Sequence, residues 1–323
     1  MTVNWLLSSA GRRGHLVTVL RAACTYLGGG SVIAIDASPL SAAGLLCDAF
    51  ELVPAVNDPS FVCEVLRICK RHAISYILPT IDPELPIYAA ARETFETHGF
   101  QVWISSPEVV MLGQNKWAFH QWLVEHHFAS PRTFEARDQR ARLLECPVIA
   151  KPRSGSASIG VVQATNVGKI TLSDLGDDYI IQEHVEGYEV TIDFAVDRNG
   201  HLLGLGARRR LEVRAGEVSK AVTIGDPQLL SEVERFVDAL PGAFGVLNVQ
   251  VLIDDDNIYF IELNPRFGGG YPLSWQAGAR FPIQLSITAA GPSPRVDARP
   301  GLLMLRYDQA VFAEAHGMLG KVK

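Results

Sequence analysis

Short apolar runs and helically spaced segments alternate through the first hundred residues. Val3-Asn4-Trp5-Leu6-Leu7 reads as a buried strand, and the spacing over 14–27 predicts a helix. Further strands are predicted at 31–36, 50–56, 74–80 and 100–106, with helices at 61–72 and 83–99, the last closed by Gly99. Strands alternating with helices predict a parallel α/β sheet of Rossmann-like form. Ser106-Pro107 marks a boundary, and helices are expected over 108–127. After Pro131 the pattern turns β-rich. Strands are expected at 146–152, 160–165, 178–185, 188–197 and 201–213, and a helix at 228–240. A hairpin of 245–254 and 258–265 turns across Asp254-Asp255-Asp256-Asn257, which reads as a solvated turn rather than a metal site. This second part is α+β in pattern, with antiparallel sheets.

At ~100–200 residues per domain, 323 residues make two or three domains. With 48% hydrophobic and 20% charged residues, disorder, collagen and coiled coil are excluded. Twenty-nine basic against 35 acidic residues leave a net charge of −6, which argues against nucleic acid as the main partner. Any phosphate site must be local and built from a few placed cations. Five scattered cysteines, with no CxxC and no zinc spacing, point to a reducing compartment. The first residues carry their charge after a short apolar run, opposite to a signal peptide, and no apolar run approaches the ~18 residues that span a bilayer. A soluble cytoplasmic protein, with no membrane partner, is the expectation.

Four stretches could carry chemistry. Ser8-Ser9-Ala10-Gly11-Arg12-Arg13-Gly14 lies between a strand and a helix. It reads as a tight turn, as a site where Arg12 or Arg13 meets an anionic substrate, or, with Asp36, as a dinucleotide site whose first glycine is missing. In Thr80-Ile81-Asp82-Pro83-Glu84, Asp82 reads as a helix cap with Glu84 in the first turn, or as a ligand group at the carboxyl end of a strand. Lys151 ends a strand, and Pro152 to Gly160 forms a small-residue loop that could lie over phosphates or simply connect two strands. On the hairpin, Glu262 and Asn264 share a strand face, and Gln250 on the paired strand converges with them. A carboxylate with amide oxygens suits Mg²⁺, whereas Glu262 beside Arg266 alone would be an ordinary ion pair.

Together these pieces resemble the ATP-grasp superfamily, and most of all one synthetase unit of the carbamoyl-phosphate synthase large subunit. The resemblance covers nearly the whole chain and implies a Rossmann-like preceding domain (1–107), an ATP-grasp domain (108–300) with a lid subdomain at about 130–186, and a C-terminal extension (301–323) packing on the core. It implies that Lys116 and Lys151 bind ATP phosphates, and that Ser154, Gly155, Ser156 and Gly160 belong to the lid loop. It places Glu183, His184 and Val185 at the adenine hinge, with Glu189 on the ribose hydroxyls. It makes Gln250, Glu262 and Asn264 the Mg²⁺ ligands (Mn²⁺ being a substitute), Arg266 the transition-state arginine and Lys220 a further phosphate-binding cation. Gly11, Arg12, Arg13, Asp82, Glu84, Arg208 and Arg210 are then candidates for the substrate.

The activity implied is ligation: ATP activates a carboxylate as an acyl-phosphate, which an amine captures, releasing ADP and phosphate. One such unit without a glutaminase argues for a free-standing ligase rather than carbamoyl-phosphate synthesis. Small-molecule carboxylate and amine substrates and a homodimer are expected. A nucleotide-binding regulatory subunit and an NAD-binding oxidoreductase are the rival readings.

Overall fold

The computed structural model describes residues 2–155, 159–170, 175–214, 216–255, 257–288, 291 and 293–314. The first unit is a five-stranded parallel sheet in the order β3-β2-β1-β4-β5, built from β1 (Trp5–Leu7), β2 (Val32–Asp36), β3 (Ala49–Leu52), β4 (Tyr76–Leu78) and β5 (Gln101–Val102). Its helices are α1 (Gly14–Tyr26), α2 (Ala42–Leu46), α3 (Phe61–Arg71) and α4 (Leu85–Thr97). Trp5, Leu6 and Leu7 are all buried because both faces of the sheet are covered. Trp5, Leu7, Val32 and Ala34 join one core, while Leu6, Ile33 and Ile35 join another with Phe61, Val65, Ile68 and Cys69 of α3. The first of these cores also takes in Phe244, Tyr271, Trp275 and Phe281, so the sheet is packed onto the rest of the chain by one face.

Two helices follow: α5 (Pro107–Gln114), capped by Ser106, and α6 (Lys116–Glu125), where Asn115 Oδ1 accepts from the Trp117 and Ala118 N–H groups. A small antiparallel sheet then has the order β6-β9-β7-β8, from β6 (Thr133–Glu135), β7 (Val148–Pro152), β8 (Val162–Ala164) and β9 (Tyr179–Glu183). The main sheet has six antiparallel strands in the order β14-β13-β10-β11-β12-β15. They are β10 (Tyr188–Val196), β11 (Leu202–Arg214), β12 (Glu217–Thr223), β13 (Gly245–Ile253), β14 (Ile258–Asn264) and β15 (Leu303–Leu305). Helix α7 (Pro227–Asp238) follows β12, and α8 (Tyr271–Gln276) and α9 (Phe281–Ile287) follow β14. The period of two divides this sheet. Val190, Ile192 and Phe194 of β10 and Leu247, Val249 and Val251 of β13 enter a core under α7. The alternate positions form a polar face.

Several elements differ from the sequence pattern. The strand expected at 50–56 ends at Leu52, ahead of Pro54, which has no N–H to offer a ladder. The strand expected at 100–106 pairs only over Gln101–Val102, and the helix expected from 83 opens with a 3-10 turn, Asp82–Glu84. Strands β6, β12 and β15 and helices α2, α8 and α9 were not foreseen. Among the described residues no helix is long and apolar enough to cross a membrane, and no cysteine is in a disulfide.

Candidate active site

The polar face of the main sheet carries the hairpin residues. Gln250 pairs with Glu262 and Asn248 with Asn264 across β13 and β14, and Thr191 of β10 pairs with Gln250. One amide atom of Gln250 lies 3.2 Å from Glu262 Oε2 and 3.0 Å from Glu189 Oε1. With nitrogen there, Gln250 donates to both carboxylates; with oxygen there, three oxygens converge in an arrangement that only a cation would hold together. Among the described residues no three His, Cys, Asp or Glu side chains cluster to hold a metal, so amide oxygens would have to share the coordination. Asn264 Oδ1 accepts from Arg266 Nη2 at 3.0 Å.

Lys151 rises into this site from β7, its Nζ donating to Gln182 Oε1 at 2.8 Å. Burial, with Lys116 nearby, pushes its ammonium down to about 8, against the pull of Glu262 and Glu189. Lys116, the first residue of α6, donates from Nζ to the Gly155 carbonyl at 2.7 Å. The lid loop is thereby tied to the helix start. Gly160 needs its glycine: φ is +76°, and a Cβ would stand 2.8 Å from the Tyr179 hydroxyl. Ser154 and Gly155 border the loop, whereas Ser156 lies outside the described residues. At the end of β9, Glu183 turns its carboxylate to Arg132, accepting from the backbone N–H at 2.7 Å and from Nε at 2.6 Å. The His184 N–H donates to the Pro147 carbonyl at 2.8 Å, and the Val185 N–H has no partner among the described residues. Glu189 pairs with Arg210; burial nevertheless pushes its carboxyl up.

The first unit faces this site with its switch point, between β1 and β4, where an open sheet binds its ligands. The loops after those strands interlock. Arg13 Nη2 donates to the Thr80 carbonyl at 2.8 Å, and Asp82 takes Arg266 Nε at 2.7 Å and Nη2 at 2.8 Å. Burial and the neighbouring Arg266 push the Arg13 guanidinium down, against the pull of Glu217, Asp82 and Glu84. Burial also works against the charge of Arg266, but Asp82 outweighs it and the net direction is up. Asp82 is thus bonded to Arg266 alone, while Arg13 is held by the Thr80 carbonyl and feels the Asp82 charge through space.

Three expectations need correction. Glu84 is fully buried and accepts from Ser8 Oγ at 2.6 Å, Ser9 Oγ at 2.8 Å and the Thr80 and Ile81 N–H groups. It fastens the two loops and has no face left for a substrate. Arg208 is 1% exposed and bidentate on Asp193 (2.7 and 3.0 Å), with Ser274 Oγ donating to the same carboxylate at 2.6 Å, so it too is spent inside the protein. Lys220 lies half exposed on β12, paired with Glu212 at 2.6 Å, with no contact to the groups above among the described residues. The Asp36 carboxylate accepts from the Gly11 N–H at 2.8 Å and the Ser38 N–H at 2.9 Å, which ties the turn after β1 to the end of β2. Arg12 is exposed, close enough to Glu217 to help hold its carboxyl low.

Comparison with known proteins decides the family. Residues 113–270 match the ATP-grasp domain and residues 5–103 match the PylC-like N-terminal domain. The chain belongs to the ATP-grasp superfamily. It is 31% identical over 219 residues to the tyramine–L-glutamate ligase of Methanocaldococcus jannaschii, covering 67% of this chain and 63% of that one. It is 27% identical over 228 residues to the carbamoyl phosphate synthase large chain of a Mycobacterium species, covering 64% of this chain but 20% of that longer one. The fold matches N5-carboxyaminoimidazole synthetase from Staphylococcus aureus in complex with ADP, with a TM-score of 0.71 at 14% identity, over 92% of this chain and 80% of that chain.

Within this ATP-grasp chain, several residues of the site escaped the sequence reading. Gln182 holds Lys151 and is itself held, donating to Thr133 Oγ1 at 2.8 Å. Asp193 orients Arg208, and Asn248 Nδ2 donates to the Arg266 carbonyl at 3.0 Å. The period of two could have found Asp193 and Asn248, since they lie on the face of Thr191 and Gln250. Glu217 and Arg306, 3.0 Å apart, meet only because β15 pairs with β12.

Proposed function

We propose that this chain is an ADP-forming carboxylate–amine ligase that uses ATP and Mg²⁺, with Mn²⁺ able to substitute. The observation that carries the reading is the convergence of Gln250, Glu262 and Glu189 on one sheet face, with the Lys151 ammonium near enough to feel both carboxylates. The relative in Methanocaldococcus jannaschii is named for joining an amine to an amino acid, which supports an amide-type product. In this reading Lys116 and Lys151 neutralise phosphate charge, the 154–160 loop covers the phosphates, Val185 presents its free N–H to the adenine edge, and Glu189 accepts from the ribose hydroxyls. Glu262 with the Gln250 and Asn264 amides would hold Mg²⁺, which when bound draws charge from the phosphate oxygens. The substrate carboxylate oxygen bonds to the γ-phosphorus as the bond to ADP breaks. A neutral amine then attacks the acyl carbon and phosphate leaves. Arg266, oriented by Asp82, and Arg13, held by the Thr80 carbonyl, flank the place where that carboxylate must lie. The lid excludes the water that would hydrolyse the acyl-phosphate.

The division we adopt is a preceding domain to residue 107, the ATP-grasp domain from 108 to 300 with its lid, and a C-terminal extension. A cytoplasmic homodimer acting on small molecules completes the proposal. The test is ADP release with ATP and Mg²⁺ against pooled amino acids and small carboxylates, with and without hydroxylamine. ADP dependent on one pool, with a trapped hydroxamate, is the expected result. ATP hydrolysis indifferent to every pool would overturn it.

A further inference from the structure

A cleft of about 430 Å³ opens beside the site, between α8 and the segment that carries β15. Its size falls in the range of about 300–1,000 Å³ usual for small-molecule pockets. The floor is apolar: Leu273 is buried, and Leu302 and Met304 pack with it against Val218 and Ala221. The rim is polar, with His15 from the start of α1, Gln276 from α8, and Arg299. The side chains of His15 and Arg299 make no hydrogen bond or ion pair among the described residues.

A chain of charged interactions links the cleft to the groups of the site. Arg306 lines it and holds Glu217 Oε2 at 3.0 Å; Glu217 in turn interacts with Arg13 and Arg12, and Arg13 with Arg266. Gly269 forms part of the wall, and a Cβ there would stand 3.5 Å from the Glu217 carboxyl carbon, so this carboxylate lies beside the wall. The cleft thus has a carboxylate beside its wall, an apolar floor, and on its rim the unpartnered Arg299 guanidinium and His15 ring.

We propose that the cleft binds the amine substrate, and that this substrate is an α-amino acid with an apolar side chain. Its amino group faces Glu217, its side chain lies on Leu273, Leu302 and Met304, and its carboxylate is taken by Arg299 and His15. This rests on the ligase reading and names the substrate class of that same site. Arg299 is exposed and unbonded, so Arg299→Gln leaves the fold intact. Calorimetric titration of the whole chain with L-leucine, L-phenylalanine and phenethylamine tests it without turnover. One of the two amino acids should bind, phenethylamine should bind at least about tenfold more weakly, and Arg299→Gln should erase that difference, as expected for one lost charge-assisted bond. Gln276→Trp, at the mouth, should block all binding. Failure of both amino acids to bind, equal affinity for phenethylamine, or indifference to Arg299→Gln overturns the proposal. ADP release in the same preparations separates the two readings. Turnover with amino acids that ignores both variants sinks the cleft and keeps the ligase. Binding that follows the pattern, without ADP from any acid–amine pair, sinks the ligase and keeps the cleft.

Discussion

Lys151 is a lysine whose positive charge is disfavoured until an anion arrives. Its ammonium is lowered from 10.5 to about 8, chiefly by burial. At about 1.4 kcal/mol per unit, carrying that charge without a phosphate costs roughly 3 kcal/mol below pH 8. The sign follows from proton counting. Between pH 8 and 10.5 the unfolded chain binds the proton and the folded chain does not, so stability rises with pH across that window. Nucleotide phosphates should restore the ammonium, and binding should then take up about half a proton at pH 8, about 0.9 at pH 9 and almost none at pH 6.5. The apparent nucleotide affinity should fall about tenfold from pH 7 to pH 9. Titration of a non-hydrolysable ATP analogue in buffers of different ionisation enthalpy measures the uptake directly. Lys151→Met should abolish it and, in the nucleotide-free protein, raise stability at pH 7 by up to ~3 kcal/mol. A binding enthalpy independent of buffer at pH 8 and 9, or the same uptake in Lys151→Met, would refute the reasoning.

Three further expectations follow from the site and its supports. Glu262→Gln removes the one carboxylate that pairs with Gln250 across the hairpin, and Mg²⁺-dependent ADP formation should fall at least about a hundredfold; wild-type turnover would end the metal assignment. Asp82→Ala leaves the Arg266 guanidinium without its carboxylate and near the like charge of Arg13, and urea unfolding should show a loss of about 3 kcal/mol, with no loss counting against the ion pair as a structural tie. Arg208→Met strands the buried Asp193 carboxylate and should cost about 3–5 kcal/mol, whereas Arg208→Met with Asp193→Leu should recover most of it; equal losses in both would mean that packing, not charge, holds that position.

How much could be read beforehand depends on the range of the contacts. Gln250, Glu262 and Asn264 were legible because two adjacent strands joined by a short turn must pair, and the period of two then fixes the shared face. Lys116 and Lys151 were picked out through a family spacing, whereas the partners they find, the Gly155 carbonyl and Gln182, were not visible in either segment alone. Asp82 looked like a cap because its neighbours, Pro83 and Glu84, look like a helix start; its partner stands 184 residues away. Glu84 reads in the sequence as an acid of a helix's first turn, and four donors from two loops are what bury it. Strand β12 escaped because Glu217-Val218-Ser219-Lys220 mixes charge with apolar residues too briefly for either period. Helices α8 and α9 escaped for a related reason: each is at most two turns long and opens with a proline in its first turn, so neither offers a full stripe.

The Asp82–Arg266 tie also limits how this chain can be recombined. Its two oxygens come from the loop after β4 of the parallel sheet and its two nitrogens from just after β14 of the antiparallel sheet. A preceding domain borrowed from another protein would bring a loop of different length, and the arginine at the end of β14 would meet solvent or a misplaced side chain. A chimera that keeps the 79–84 loop with its own catalytic sheet should therefore fold and turn over where a swap at the linker near residue 107 does not. The unit of exchange in this architecture is the loop with its arginine, not the domain.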